Sequence, residues 1–220
     1  LKVLEEPPRG LVFLFLAENP GDLLSTIVSR SQVIRERPSI DVDSVSRLTQ
    51  ASYEEREAHY IVDTVENESE LEQFIAHPID LAHAKKEAAQ VAAEATGTEL
   101  IALATGDDPI VRRGATLRLL RRLTQGEHEL AIVSSIAIAR AGREAAARLL
   151  GQLLTASFSA LREAVEEEGN HRADQPRLGL DPTAWGATCQ RIQRAQRALD
   201  RYTFPDGVFL SLFLGIGRGG

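Results

Sequence analysis

The chain has 220 residues, of which 43% are hydrophobic and 26% charged, a balance that excludes a mostly disordered protein. Its net charge of −7 is unevenly distributed, because residues 1–108 carry a net charge of −12 and residues 109–220 a net charge of +5. The single cysteine excludes an intrachain disulfide framework, and no stretch of 18 uncharged apolar residues is present, so we expect a cytoplasmic protein with no membrane partner.

The first 36 residues have the pattern of the end of an α/β domain. An apolar run over residues 11–16 is continuous on both faces, which is typical of a central parallel strand. A loop over residues 18–22 and a short helical turn over residues 23–29 follow it. A strand of this kind needs neighbours, and the chain contains no methionine, so we expect a fragment of a longer protein.

Residues 37–108 predict a small helical domain. The S-x-x-E pattern from Ser52 to Glu55 predicts a capping box that starts its second helix. Gly97 predicts the C-terminal cap of its third helix. A linker over residues 106–109 ends the domain.

Residues 109–220 predict an all-α bundle of about five helices. Pro109 and the pair Asp181-Pro182 have the residue types that begin helices. The last helix, over residues 208–216, is apolar nearly all round and must be buried. We expect it to join a helical collar built from several subunits, and burial within its own bundle is the alternative. The predicted fold class is therefore mainly α, with an α/β remnant at the start.

Four segments resemble the clamp-loader ATPase subunits of bacterial DNA polymerase III, an AAA+ family. Residues 1–8 (LKVLEEPP) are similar to the family's LLKTLEEPP segment, and residues 24–31 (LSTIVSRS) to its LLPTIxSRC pattern. Glu18-Asn19-Pro20 lies in the position of the sensor loop, where we favour a purely structural role. Residues 192–203 resemble the helix before the family's last collar helix. The resemblance implies the following domains: an AAA+ core remnant at 1–36, a helical lid at 37–108 and an oligomerisation collar at 109–220.

The resemblance also implies a catalytic role for Arg30, with Ser29 beside it. Ser29-Arg30-Ser31 matches the family's Ser-Arg-Cys motif except at its last residue. In the family, this arginine points into the ATP site of the neighbouring subunit. A guanidinium suits that role because it is always charged and binds phosphate oxygens in a fork. We therefore predict that Arg30 is a trans-acting arginine finger, and the alternative is a surface arginine that caps a short helix.

The resemblance further implies a subunit that does not hydrolyse ATP. Residues 95–100 lie where the hydrolysing subunits carry a Gly-x-x-Arg sensor, and Glu99 stands where a basic residue is expected. No G-x-x-x-x-G-K-[ST] loop is present either. We therefore expect no cofactor and no metal in this chain, which is not an enzyme by itself and whose neighbours bind ATP. The alternatives are an ATP-hydrolysing gamma/tau-type subunit and an unrelated α-helical interaction domain.

The partners implied by the resemblance are the gamma/tau and delta subunits and, through the assembled complex, the sliding clamp and primed DNA. A basic helix at the start of the last domain is a further candidate surface, and it carries Arg112, Arg113, Arg118, Arg121 and Arg122. We favour a solvated or inter-subunit face over contact with nucleic acid, with residues 163–168 as its acidic counterpart. The scattered histidines predict surface or cap positions, and Cys189 predicts a core thiol.

Overall fold

The computed structural model describes residues 42–169, 180–201 and 204–216, together with Phe13, Phe15, Leu24 and Ile27. The chain divides into two compact units, Leu1–Ile40 and Asp41–Gly220. All regular elements in the described residues are α-helices, so the mainly α fold class is confirmed there. None of these helices combines the length and the apolar character needed to cross a membrane.

Ten helices occur in the described part of the second unit. They are α1 (Val42–Gln50), α2 (Glu55–Val62), α3 (Glu68–Ala76), α4 (Leu81–Glu94), α5 (Gly97–Ala104), α6 (Pro109–Thr124), α7 (His128–Ala141), α8 (Arg143–Gly169), α9 (Pro182–Asp200) and α10 (Pro205–Ile216).

The four described residues of the first unit bear on the predicted strand and turn. Phe13 and Phe15 lie outside any strand and are 42% and 39% exposed, so at these two positions the run is not the buried strand that the sequence predicts. Such a strand is stable only between neighbouring strands, and the described residues supply none. Ile27 is helical and its amide donates to the Leu24 carbonyl at 2.8 Å, as the predicted turn requires.

The α1–α2 junction differs from the predicted capping box. The N-cap of α2 is Glu54, and the side chain of Glu57 accepts the Glu54 amide at 3.0 Å. Ser52 instead ends α1, with a φ of 84° in the left-handed region. The prediction was wrong because α1 continues to Gln50, and its C-terminal cap occupies the serine that the pattern assigns to the next helix.

Gly97 begins α5 and does not cap α4. Thr96 and Glu99 form the capping box of α5, and this signal overrides the preference of glycine for a helix end. The position also needs a small residue, because a Cβ on Gly97 would lie 3.1 Å from side-chain atoms of Leu130 and Val133 on α7.

The five helices predicted over residues 109–220 are present as α6 to α10. Asp108 caps α6, and Asp181 caps α9 through a 2.8 Å hydrogen bond from the Ala184 amide, so both predicted helix starts are confirmed. Helix α10 packs on α7, α9 and α6. Its apolar face is buried within the chain, which agrees with the alternative that the sequence left open. The buried residues are Val208, Phe209, Leu212, Phe213 and Ile216.

The second unit contains two sets of helices. Extensive contacts join α1 to α2 and α3, and others connect α4 to α10; none of these extensive contacts joins α1–α3 to α4–α10. The main apolar cluster extends from Ala92 to Ile216 and contains no residue of α1–α3. It crosses the predicted boundary at residue 108, since Leu100, Ile101 and Leu119 belong to it. The division into lid and collar stays a prediction of the sequence.

Candidate functional site

The residues predicted for catalysis lie outside the described part of the chain. These are Ser29 and Arg30, together with the loop over residues 18–20. The role of Arg30 therefore stays a prediction.

Glu99, which stands where a basic sensor is expected, caps the start of its own helix. Its carboxylate accepts both the Thr96 amide and the Thr96 hydroxyl, each at 2.8 Å. These hydrogen bonds hold the pKa of Glu99 below its ordinary value, and the bond from the amide has the largest effect. The residue thus completes a capping box, and the whole of α5 contains no basic side chain.

The described histidines and Cys189 occupy positions of the predicted kind, and His171 lies outside the described residues. His59, His77 and His83 are exposed, and His77 is the C-cap of α3. In the described residues no group of three or more potential ligands can hold a metal ion. Cys189 is buried, and burial raises the pKa of its thiol to about 11, so it stays protonated and unreactive at neutral pH.

The basic helix does not form one solvated face, contrary to the prediction. Arg112 and Arg113 are only 1% and 4% exposed, whereas Arg121 is exposed. A buried guanidinium is stable only when carboxylates or carbonyls satisfy it. Both arginines donate hydrogen bonds to a segment more than 40 residues earlier in the chain, and Glu163 of the predicted counterpart also acts on Arg113 by charge.

This is the acidic segment, residues 63–70, which comprises the connection from α2 to α3 and the first residues of α3. Asn67 caps α3 by accepting the Glu70 amide at 2.9 Å, and Glu70 in return accepts the Glu66 amide at 2.8 Å. This reciprocal cap fixes Glu66 and Glu70 together at the start of α3. Asp63 follows the last residue of α2 as its C-cap.

Arg112 on α6 joins the acidic segment to the turn before α6. Its Nη2 donates to Glu70 Oε2 at 2.7 Å, and its Nε lies 3.6 Å from Glu66 Oε1. Its Nη1 donates to the Gly106 carbonyl at 3.1 Å. Arg112 thereby fixes the predicted linker between α5 and α6 against the helix.

Glu66 connects α6 to α8. Its Oε1 accepts the Gln152 amide nitrogen at 2.8 Å, and its Oε2 lies 3.4 Å from Arg148 Nε. Arg148 also donates to the Thr105 carbonyl at 3.1 Å. Gln152 is fully buried, and its Oε1 has no hydrogen-bond partner.

Asp63 makes the second set of contacts with the same two helices. Its Oδ2 accepts the Ser159 hydroxyl at 3.0 Å and lies 3.6 Å from Arg162 Nη2. Arg113 donates to Ser159 Oγ at 3.3 Å and to the Asp63 carbonyl at 3.4 Å. Burial lowers the pKa of the Arg113 guanidinium, and the carboxylate of Asp63 counteracts that effect.

The acidic segment therefore inserts its carboxylates among guanidiniums of α6 and α8. We call this surface the arginine cleft; it comprises Arg112, Arg113, Arg148 and Arg162 with Gln152 and Ser159. The residues of α8 recur at positions 148, 152, 159 and 162, which is the spacing of one helix face. The arrangement offers no nucleophile or metal site and binds one set of helices to the other by charge.

An exposed apolar stripe lies elsewhere, on α7. Ile132, Val133 and Ile136 are 49%, 38% and 45% exposed. Spacing of one and four residues places them on one helix face, opposite the buried Leu130, Ala131 and Ile138. We call these three residues the α7 stripe. No sequence pattern distinguishes it, because α7 is apolar on both faces.

One comparison with known proteins gives a match. The model of a family described as "DNA polymerase III, delta subunit" matches residues 1–39. No curated protein and no solved structure matches the chain. Over this segment the chain is therefore similar to a clamp-loader-type family.

Proposed function

We propose that the chain is a non-hydrolysing clamp-loader subunit of DNA polymerase III, of the delta-prime type. It supplies Arg30 to the ATP site of a neighbouring subunit and a helical bundle for assembly. The observation that carries the proposal is the family match over residues 1–39, because this segment contains Ser29-Arg30-Ser31 at the family's spacing.

The chemistry of the proposed reaction depends on charge. When the terminal phosphoryl group of ATP leaves, negative charge develops on its oxygens, and a positioned guanidinium stabilises it. ATP-loaded neighbours hold the ring around the clamp, and primed DNA triggers hydrolysis. Arg30 forms part of that trigger at one interface, and this chain binds no nucleotide itself.

Two features of the described residues support the proposal. At the start of α5, Glu99 serves as a helix cap, and α5 has no basic side chain that could act as a sensor. This favours a subunit that does not hydrolyse ATP. The α7 stripe offers exposed apolar area on the helical bundle that the proposal assigns to the collar. Helix α10 contributes to that collar from inside the bundle, by supporting α7.

The test uses the intact protein assembled with the other loader subunits. Arg30→Ala removes a group of the kind that contributes about 10³–10⁵ to the hydrolysis rate in well-studied NTPases. Since one interface of the assembly is affected, we expect the DNA-stimulated ATPase rate to fall by a large fraction while assembly is unchanged. Arg30→Lys should not restore the rate, because an ammonium lacks the planar fork.

Arg35→Ala is the matched control, because it removes a nearby arginine outside the motif. Its ATPase rate should equal that of the unchanged protein. An unaltered rate in Arg30→Ala contradicts the arginine finger. Measurable ATP binding by the isolated chain favours the gamma/tau-type alternative, and failure to join the other subunits favours an unrelated interaction domain.

A further inference from the structure

We infer that the acidic segment and the arginine cleft form a releasable ionic latch, which holds α1–α3 onto α4–α10 and whose release lets α1–α3 open locally while α4–α10 stay folded. The inference comes from contacts within residues 42–169 and does not depend on the proposed function.

Each set of helices has buried apolar residues and ion pairs of its own. In α1–α3, Leu48, Ile61 and Leu71 are fully buried, and Arg47 on α1 pairs with Glu68 and Glu72 on α3. The cluster from Ala92 to Ile216 stabilises the other set independently. No residue of α1–α3 belongs to that main cluster, so charge has a larger share in the contacts between the two sets than in the packing within α4–α10.

Polar contacts connect the two sets. Glu70 meets Arg112, Glu66 meets Arg112, Arg148 and Gln152, and Asp63 meets Arg113, Ser159 and Arg162. The ammonium of Lys85 on α4 adds a contact, 4.0 Å from the ring centroid of Tyr60 on α2. In the ion pairs that join the two sets, the carboxylates belong to α1–α3 and its acidic segment, and the guanidiniums belong to α6 and α8. Two carboxylates of the second set, Asp107 beside Arg148 and Glu163 near Arg113, share these guanidiniums. The attraction is therefore between two oppositely charged surfaces.

Such an interface is sensitive to salt in a way that an apolar core is not. Raising the salt from about 0.01 M to about 1 M shortens the Debye length from about 30 Å to about 3 Å. Arg148 and Arg162 stand at the solvent edge, where screening acts first, while Arg112 is buried. The edge pairs weaken first, and α1–α3 then lose the contacts that hold them to α6 and α8.

The test is amide hydrogen exchange, resolved by peptide, on the full chain. Between about 0.01 M and about 1 M NaCl, we expect exchange in α1–α3 to increase about five- to tenfold while α8 and α9 keep their protection. Arg148→Gln, at a side chain that is 29% exposed, should produce the same selective increase at low salt. Glu66→Gln should do so more strongly, and the double variant should add little to it.

Glu127→Gln is the matched control, because it removes the Arg122–Glu127 pair, which lies wholly within the α6–α7 turn. It should leave exchange in α1–α3 unchanged. The latch is overturned if neither salt nor Arg148→Gln affects α1–α3. It is equally overturned if all helices lose protection together or if Glu127→Gln has the same effect. Because Arg148 is partly exposed, its variant keeps the test decisive even where Glu66→Gln unfolds the chain.

Discussion

Ser52 holds a backbone conformation that side-chain-bearing residues rarely adopt. The end of α1 has two hydrogen bonds of the Schellman motif, from the Tyr53 amide to the Leu48 carbonyl and from the Ser52 amide to the Thr49 carbonyl, each at 3.2 Å. This motif places one residue in the left-handed region, usually glycine, and here Ser52 has a φ of 84°. Its Cβ therefore destabilises the turn.

Ser52→Gly should raise the free energy of unfolding by about 1 kcal/mol, because glycine reaches this φ without the steric cost of a Cβ. Urea denaturation followed by circular dichroism measures the change. Gly126 provides the mirror control, since its φ is 81° and no atom lies within 4 Å of the position that a Cβ would take. Gly126→Ala should lower stability by a similar amount, and a less stable Ser52→Gly protein would contradict the account.

Single residues also mark the limit of what the sequence predicts. Local patterns identify Asp181 as a cap and Cys189 as a core thiol, because their neighbours in sequence decide both roles. Arg112 meets Glu70 across 42 residues, and Gln152 meets Glu66 across 86. The spacing of apolar and polar residues along the sequence does not predict pairs so far apart. From sequence alone, an arginine on a helix is therefore predicted to be exposed to solvent. Only the fold shows that a distant carboxylate lies beside it.

At the scale of elements, helix type is predictable and helix ends are less so. The apolar period of 3.6 residues identifies the five helices of the bundle within a few residues. The ends depend on competition between short signals. At residues 96–99, the capping box starts α5, so Gly97 does not cap the preceding helix. Ser52 belongs to the C-terminal cap of α1 and does not start the next helix.

Substitutions at two helical glycines distinguish the effect of packing on stability from the effect of helix propensity. Around Gly186, within α9, no atom lies within 4 Å of the position of an added Cβ, whereas a Cβ on Gly114 of α6 would lie 3.3 Å from the Cβ and carbonyl oxygen of Ala88 on α4. Gly186→Ala should stabilise the protein by about 0.5–1 kcal/mol through helix propensity. Gly114→Val should destabilise it by about 1–3 kcal/mol, because α4 and α6 must move apart.

Thermal or urea unfolding of both glycine variants measures these opposite signs. Gly186→Ala serves as the control that added side-chain volume on a helix is tolerated where there is room. If Gly114→Val proved as stable as the unchanged protein, the close contact between α4 and α6 would be wrong.

At the scale of the whole molecule, the structure partly explains the uneven distribution of charge along the chain. The acidic first half and the basic second half suggest modules with different neighbours when only the sequence is considered. Part of this charge is paired inside the chain, where Asp63, Glu66 and Glu70 meet the arginine cleft. The resemblance that carries the functional proposal lies in residues 1–39, and composition alone gives no indication of it.

The assembly surface is the remaining question at this scale, and it rests on the proposed function. Ile132→Asp with Ile136→Asp places two charges on the α7 stripe, so the variant should lose most of its recovery in the assembled loader by size-exclusion chromatography. Both side chains are exposed, so circular dichroism should be unchanged. Phe158→Asp is the matched control, because Phe158 is a similarly exposed apolar residue, 46%, on α8. Normal assembly of the double variant, or equal loss in the control, would remove α7 from the proposed collar contact and leave the role of Arg30 to be decided by hydrolysis.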